Sequence, residues 1–230
     1  MALHPNGVNH LALSTRDVKT QIAFFTDVLG AELKALYWMH GVPNTFHAFL
    51  ELSSSSYVAF VQHPKNPDTV EIGVTHAGNA GGPVAAGTMQ HVAFNVDTLD
   101  DLYAMRDRIR DRGVVVLGPI DHGMCHSIYF AGPEGLSLEV AWGSAIDERA
   151  WIDPEVQELA GITAAELEQF LRPAAYDRPA SPVPQPAIDP SKPHLVYPPS
   201  LYKALVASPD EKVLHSVTNV PPVVLAPQTS

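Results

Sequence analysis

The chain has a single cysteine, Cys125, among 230 residues. No intrachain disulfide can form, and the natural expectation is a reducing compartment. Basic residues are also scarce: 14 Lys and Arg stand against 25 Asp and Glu, a formal net charge of −11 with histidines neutral. Nucleic acid and anionic membranes attract basic surfaces, so neither partner is expected. No stretch approaches the ~18 consecutive apolar residues of a membrane helix. The opening "MALHPNGVNH" has neither the basic start nor the apolar run of a signal peptide. These absences predict a cytoplasmic protein whose partner is a small molecule.

Histidine, by contrast, is plentiful at 11 residues. Two of them fall in a repeat. "GVNHLALST" begins at Gly7 and "TMQHVAFNV" at Thr88, which places His10 and His91 81 positions apart. After the first stretch, Val18, Ile22, Phe25, Val28 and Leu29 recur at helical spacing and Gly30 stops the helix. After the second, Leu99, Leu102, Met105 and Ile109 do the same and Gly113 is the stop. Asp17 and Asp97 are the expected N-caps. Three strand-like runs follow each helix: "AELKALYWM", "TFHAFLEL" and "SYVAFVQ", then "VVVLGPI", "HSIYFAG" and "LSLEVAW". Each copy therefore reads βαβββ.

The expected fold class is α+β. Two βαβββ modules form an open, cup-shaped mixed sheet with helices outside. The predicted boundaries are a first module at 1–65, a Gly- and Asn-rich linker at 66–87, and a second module at 88–145. Short helices follow at 146–172, with a capping box from Thr163 to Glu166. The stretch 173–230 carries 13 of the 21 prolines and predicts an extended arm.

Alternation along a strand sorts the side chains. Leu11 and Leu13 share one face, and His10, Ala12 and Ser14 the other. Val92, Phe94 and Val96 oppose His91, Ala93 and Asn95. Leu138, Val140 and Trp142 oppose Ser137, Glu139 and Ala141. A half-buried carboxylate is costly unless it is paired or bound to a cation. Two histidines and one carboxylate thus face a common space. A lone strand histidine is usually a hydrogen-bonded structural residue; its recurrence in a repeat argues for a shared metal.

The repeat, with "VNHLAL", "MQHVAF" and "PEGLSLEV", resembles the vicinal oxygen chelate superfamily. That group includes glyoxalases, fosfomycin-resistance proteins, epimerases and extradiol dioxygenases. The resemblance covers about residues 7–143. It implies metal ligation by His10, His91 and Glu139, because the first-module counterpart of Glu139 falls near Val58 to Phe60, where no carboxylate stands. Two histidines and one carboxylate suit Fe(II), with positions left open for substrate and O₂. "IDHGMCHSIYFAGPEGLSLE" is similar to the extradiol ring-cleavage pattern through His122, Ile128, Tyr129, Pro133, Gly135 and Glu139. Gly132 departs from it. The resemblance gives Tyr129 and His122 catalytic roles beside the metal.

A larger departure is Ser56, which stands near where that family places its acid–base histidine. His47 and His126 are alternative groups for contacting substrate. The implied activity is Fe(II)-dependent cleavage of a catechol-like substrate by O₂. One alternative is a glyoxalase- or epimerase-like lyase or isomerase using Mn, Zn, Ni or Co. The other is a binding protein without turnover. A homo-oligomer, a dimer or higher, is the expected assembly.

Overall fold

The computed structural model describes residues 3–216 and 220–224. The first module runs β1 (His10–Thr15), α1 (Val18–Asp27), β2 (Glu32–Trp38), β3 (Phe46–Ser53) and β4 (Ser56–Gln62). The second runs β5 (Val92–Asn95), α2 (Leu99–Asp111), β6 (Leu117–Asp121), β7 (Cys125–Ala131) and β8 (Ser137–Gly143). Each sheet is mixed, with orders β1-β4-β3-β2 and β5-β8-β7-β6. β1 pairs with β4, and β5 with β8, in parallel; the other neighbours are antiparallel. The two sheets are separate four-stranded sheets, with β1 and β5 as free edges.

Asp17 caps α1 as expected, accepting from Thr20 N at 3.1 Å. Asp97 does not cap α2. Thr98 does, accepting from Asp101 N at 3.0 Å, because the chain turns one residue later than the Asp suggests. Beyond β8 come α3 (Glu148–Trp151), α4 (Pro154–Leu159) and α5 (Ala164–Leu171), the last with the expected Thr163–Glu166 capping box. The proline-rich stretch is not wholly extended: α6 (Pro199–Val206) and α7 (Asp210–Ser216) interrupt it, with no buried residue in α6. Among the described residues no helix is long and apolar enough to cross a membrane.

One apolar core serves both modules. Leu13, Phe25 and Phe60 from the first join Leu102, Ile128 and Leu138 from the second. Phe25 meets Phe94 edge to face at 6.0 Å across the seam. A cleft of about 860 Å³ opens along this seam, lined by Leu11, Ala31, Ser56, Phe94 and Met105. It holds none of the predicted site histidines.

The second module also grips both ends of α1. At the N-terminal end, Glu134 accepts from Thr15 Oγ1 at 2.6 Å, Arg16 N at 2.6 Å and Gln21 Nε2 at 2.7 Å. At the C-terminal end, Arg108 donates to Val28 O and Asp27 O, each at 2.9 Å. An anion at the helix start and a cation at its end both complement the helix dipole and its unpaired backbone groups. Gly30 makes room for the guanidinium: a Cβ there would lie 3.1 Å from Arg108 Cζ. Glu134 holds φ at 55°, in the left-handed region, so its three donors outweigh a backbone cost.

Burial pushes the Glu134 carboxyl up, but the Thr15, Arg16 and Gln21 donors win and hold it below its ordinary value. A depressed carboxyl contributes stability above its unfolded pKa, and that contribution is lost as pH falls through its folded pKa. Glu134→Ala should cost about 2 kcal/mol at neutral pH. That corresponds to a drop of roughly 5 °C in the unfolding midpoint. Scanning calorimetry should show the difference from wild type shrinking as the pH is lowered into the carboxylate range.

Candidate functional site

The alternation read from the sequence holds in all three strands that carry the predicted ligands. Leu11, Leu13, Val92, Phe94, Leu138 and Val140 turn to the core. His10, Ala12 and Ser14 are exposed on the opposite face of β1. His91 sits immediately before β5 and is half-buried. The register pins the module equivalence: Ala12 pairs with Ala59, and Ala93 pairs with Glu139. Ala59 is therefore the first-module counterpart of Glu139, and the first module offers no carboxylate there.

The second sheet gathers four of the predicted residues. Glu139 is only 5% exposed. Its Oε2 lies 3.1 Å from His91 Nε2. The imidazole Nδ1 is bonded on its other side to Gln90 Oε1. Tyr129 is directly opposite Glu139 across the β7–β8 pair and so shares its face. The Tyr129 hydroxyl is 2.9 Å from His122 Nε2. Burial, with the Glu139 charge adding to it, pushes the Tyr129 phenol up; a hydrogen bond from Ser127 opposes this. Tyr129 is thus held protonated and able to donate.

The first sheet forms a different basin. His10 packs edge-on against Phe49 at 5.3 Å, and His47 against the same ring at 4.5 Å. Tyr37 stacks on Phe49 at 6.3 Å, and Tyr57 meets it edge to face at 6.1 Å. His47 Nδ1 lies 3.4 Å from the Tyr37 hydroxyl, and its buried Nε2 has no partner among the described residues. Ser56 opens β4, while its neighbour Tyr57 is in register with His10, so Ser56 points to the seam.

Among the described residues, no three His, Cys, Asp or Glu side chains of one chain are grouped closely enough to hold a metal. His91 and Glu139 are together; His10 lies with His47 on the other sheet. His126 is in register with Trp142, on the opposite face from Glu139, with its Nε2 3.6 Å from Asp121 Oδ2. It does not join Tyr129 and Glu139. Sequence reasoning passed over Gln90, Tyr37 and Tyr57. Strand alternation from His10 and His47 was the signal for the two tyrosines; for Gln90 there was none.

The donor chemistry of the second sheet fits a divalent cation. The Gln90 amide nitrogen donates to Asn79 O and Gly82 O, each at 3.0 Å, so its oxygen must face His91. The imidazole then donates from Nδ1 and turns Nε2 toward a carboxylate oxygen. Two such acceptors at 3.1 Å need a proton or a cation between them. Imidazole nitrogen with carboxylate oxygen is a common donor pair for Fe, Zn and Mn.

A family model described as the Glyoxalase/Bleomycin resistance protein/Dioxygenase superfamily matches residues 7–140. Biphenyl-2,3-diol 1,2-dioxygenase 2 of Rhodococcus globerulus is 38% identical over 58 residues, 25% of this chain and 30% of that protein. The match thus spans less than a third of the dioxygenase. Metallothiol transferase FosB of Bacillus licheniformis is 28% identical over 156 residues, 67% of this chain and 86% of that protein. Among solved structures, the glyoxylase/bleomycin resistance protein/dioxygenase domain from Frankia sp. EAN1pec superposes with a TM-score of 0.50 at 16% identity. That match covers 61% of this chain and all of the other, and it shows the fold alone.

Burial, and then the nearby His10, lower the His47 pKa. The unfolded chain then binds a proton that the folded one resists. Stability should fall as pH drops below about 6.5, the ordinary imidazole value. Urea unfolding at a series of pH values should show this loss, and His47→Phe should reduce it.

Proposed function

The chain belongs to the Glyoxalase/Bleomycin resistance protein/Dioxygenase superfamily, and on that premise we propose that it is an Fe(II)-dependent extradiol-type dioxygenase. The substrate is a catechol-like ring, and O₂ adds both its atoms as the ring opens. The observation that carries this reading is the 2.9 Å contact of His122 with Tyr129, set on the face of Glu139 and His91. His10, His91 and Glu139 would hold the metal. When bound, Fe(II) supplies a Lewis acid for the substrate hydroxyls and an electron source for O₂.

The protein's own part is orientation. Tyr129 donates to a substrate oxygen, and His122 fixes the direction of that hydroxyl. The basin of Phe49, Tyr37 and Tyr57 offers ring faces and edges to a flat aromatic substrate. A second copy of the chain brings His10 to His91 and Glu139. Among the described residues the β1 and β5 edges are unpaired, and each begins at or just after a candidate ligand histidine. A twofold pairing of these edges forms the site twice.

A second reading is a lyase or isomerase of the same superfamily on another divalent metal. Ser56 favours it, because serine does not exchange protons near neutrality as histidine does. Anaerobic loading with Fe(II), followed by O₂ uptake on a panel of catechols, tests the first reading; zinc or nickel in the isolated protein and no O₂ uptake would replace it with the second. Tyr129→Phe should lower kcat at least about 100-fold, with KM changed much less. Separately, His10→Ala and Glu139→Ala should each abolish metal binding. An equal mixture, unfolded and refolded together, should regain about a quarter of the sites. No recovery would show that the ligands do not come from two chains.

A further inference from the structure

We propose that Gln90 is a positioning residue through which the inter-module loop fixes the tautomer of His91. The inference rests on the metal reading only in its consequence for affinity. Three hydrogen bonds determine the Gln90 amide. Its nitrogen has two hydrogens, and both are used on carbonyl oxygens, Asn79 O and Gly82 O, each at 3.0 Å. Its oxygen accepts from His91 Nδ1. Rotating the amide by half a turn would set its oxygen against two carbonyl oxygens and lose both of those bonds. The orientation is therefore over-determined.

An amide oxygen only accepts, so the ring hydrogen must sit on Nδ1. In the neutral ring the lone pair then sits on Nε2, the atom 3.1 Å from Glu139 Oε2. Without Gln90 an imidazole can carry its hydrogen on either nitrogen, and the wrong one blocks ligation.

The two carbonyls come from one turn. Gly82 N donates to Asn79 O at 3.1 Å, and Gly81 N donates to Asn79 Oδ1 at 2.9 Å. A Cβ on Gly82 would lie 2.2 Å from Ala77 O, so only glycine permits this approach. The stretch that reads as a linker is thus a shaped support beneath a candidate ligand. The chain of contact runs from Gly82 to Gln90 to His91 to Glu139.

The test uses the full chain and two variants. In metal-free protein at about pH 8, above the ordinary histidine range, long-range ¹H–¹⁵N correlation reads each ring nitrogen of His91. Wild type should show a hydrogen on Nδ1, with or without a second one shared between Nε2 and Glu139. Gln90→Met should show mixed tautomers and bind Zn²⁺ about 10- to 100-fold more weakly by chelator competition. Gln90→Glu supplies no N–H to Asn79 O and Gly82 O, so it should also lose the fixed Nδ1–H form and show that the loop anchors the acceptor. A wild-type His91 with no hydrogen on Nδ1 overturns the proposal, as does a Gln90→Met spectrum identical to wild type. Wild-type protein that binds no Zn²⁺ defeats the metal reading instead, and the ring shifts still decide on Gln90.

Discussion

Helix α1 is gripped at both ends by charges from the other module, and the arrangement of everything else follows from that grip. Glu134 meets its first turn and Arg108 its last carbonyls. The modules are thereby locked through their apolar faces into one core, with Phe25 and Phe94 in contact across the seam. Strand alternation does the rest. If Leu11, Val92 and Leu138 turn inward, then His10 and Glu139 must turn away from the shared core. Among the described residues the β1 and β5 edges are left without partners.

The result is two half-sites of different character. One is aromatic, with His10 and His47 around Phe49. The other is polar, with His91, Glu139, Tyr129 and His122 linked on one sheet. Neither is complete as a metal centre, which needs at least a third protein ligand. Their proposed union would set a ring-lined basin beside a cation site and the donors Tyr129 and His122. This complementarity is the physical support for a composite site built from two chains. In the proposed composite site the aromatic half would contribute a histidine and a surface for the substrate, in place of a carboxylate at Ala59.

Much of this was legible because it depends on period-two alternation and on a repeat. The strand faces, both module helices and the Asp17 cap follow from patterns that local sequence encodes. What stayed hidden depends on contacts between distant segments. Glu134 lies in a quoted motif, yet its role as the anion at α1 requires knowing that the modules pack there. The Thr98 cap is a one-residue shift that two neighbouring capping residues make ambiguous. His126 was offered as a substrate contact, but the β7 register turns it to the face of Trp142. Residues 66–87 read as a spacer because Gly and Asn are abundant there; the same glycine that suggests looseness is needed for a close backbone approach at Ala77.

The account stands on one coordination set: two imidazoles and a carboxylate on a single ion. X-ray absorption at the zinc edge of the Zn²⁺-loaded protein measures it directly. The account predicts two imidazole ligands per zinc at about 2.0–2.1 Å, with the remaining ligands oxygen, and no zinc held in that environment by His10→Ala. A spectrum with one imidazole or none in the wild type, or one unchanged in His10→Ala, would contradict it.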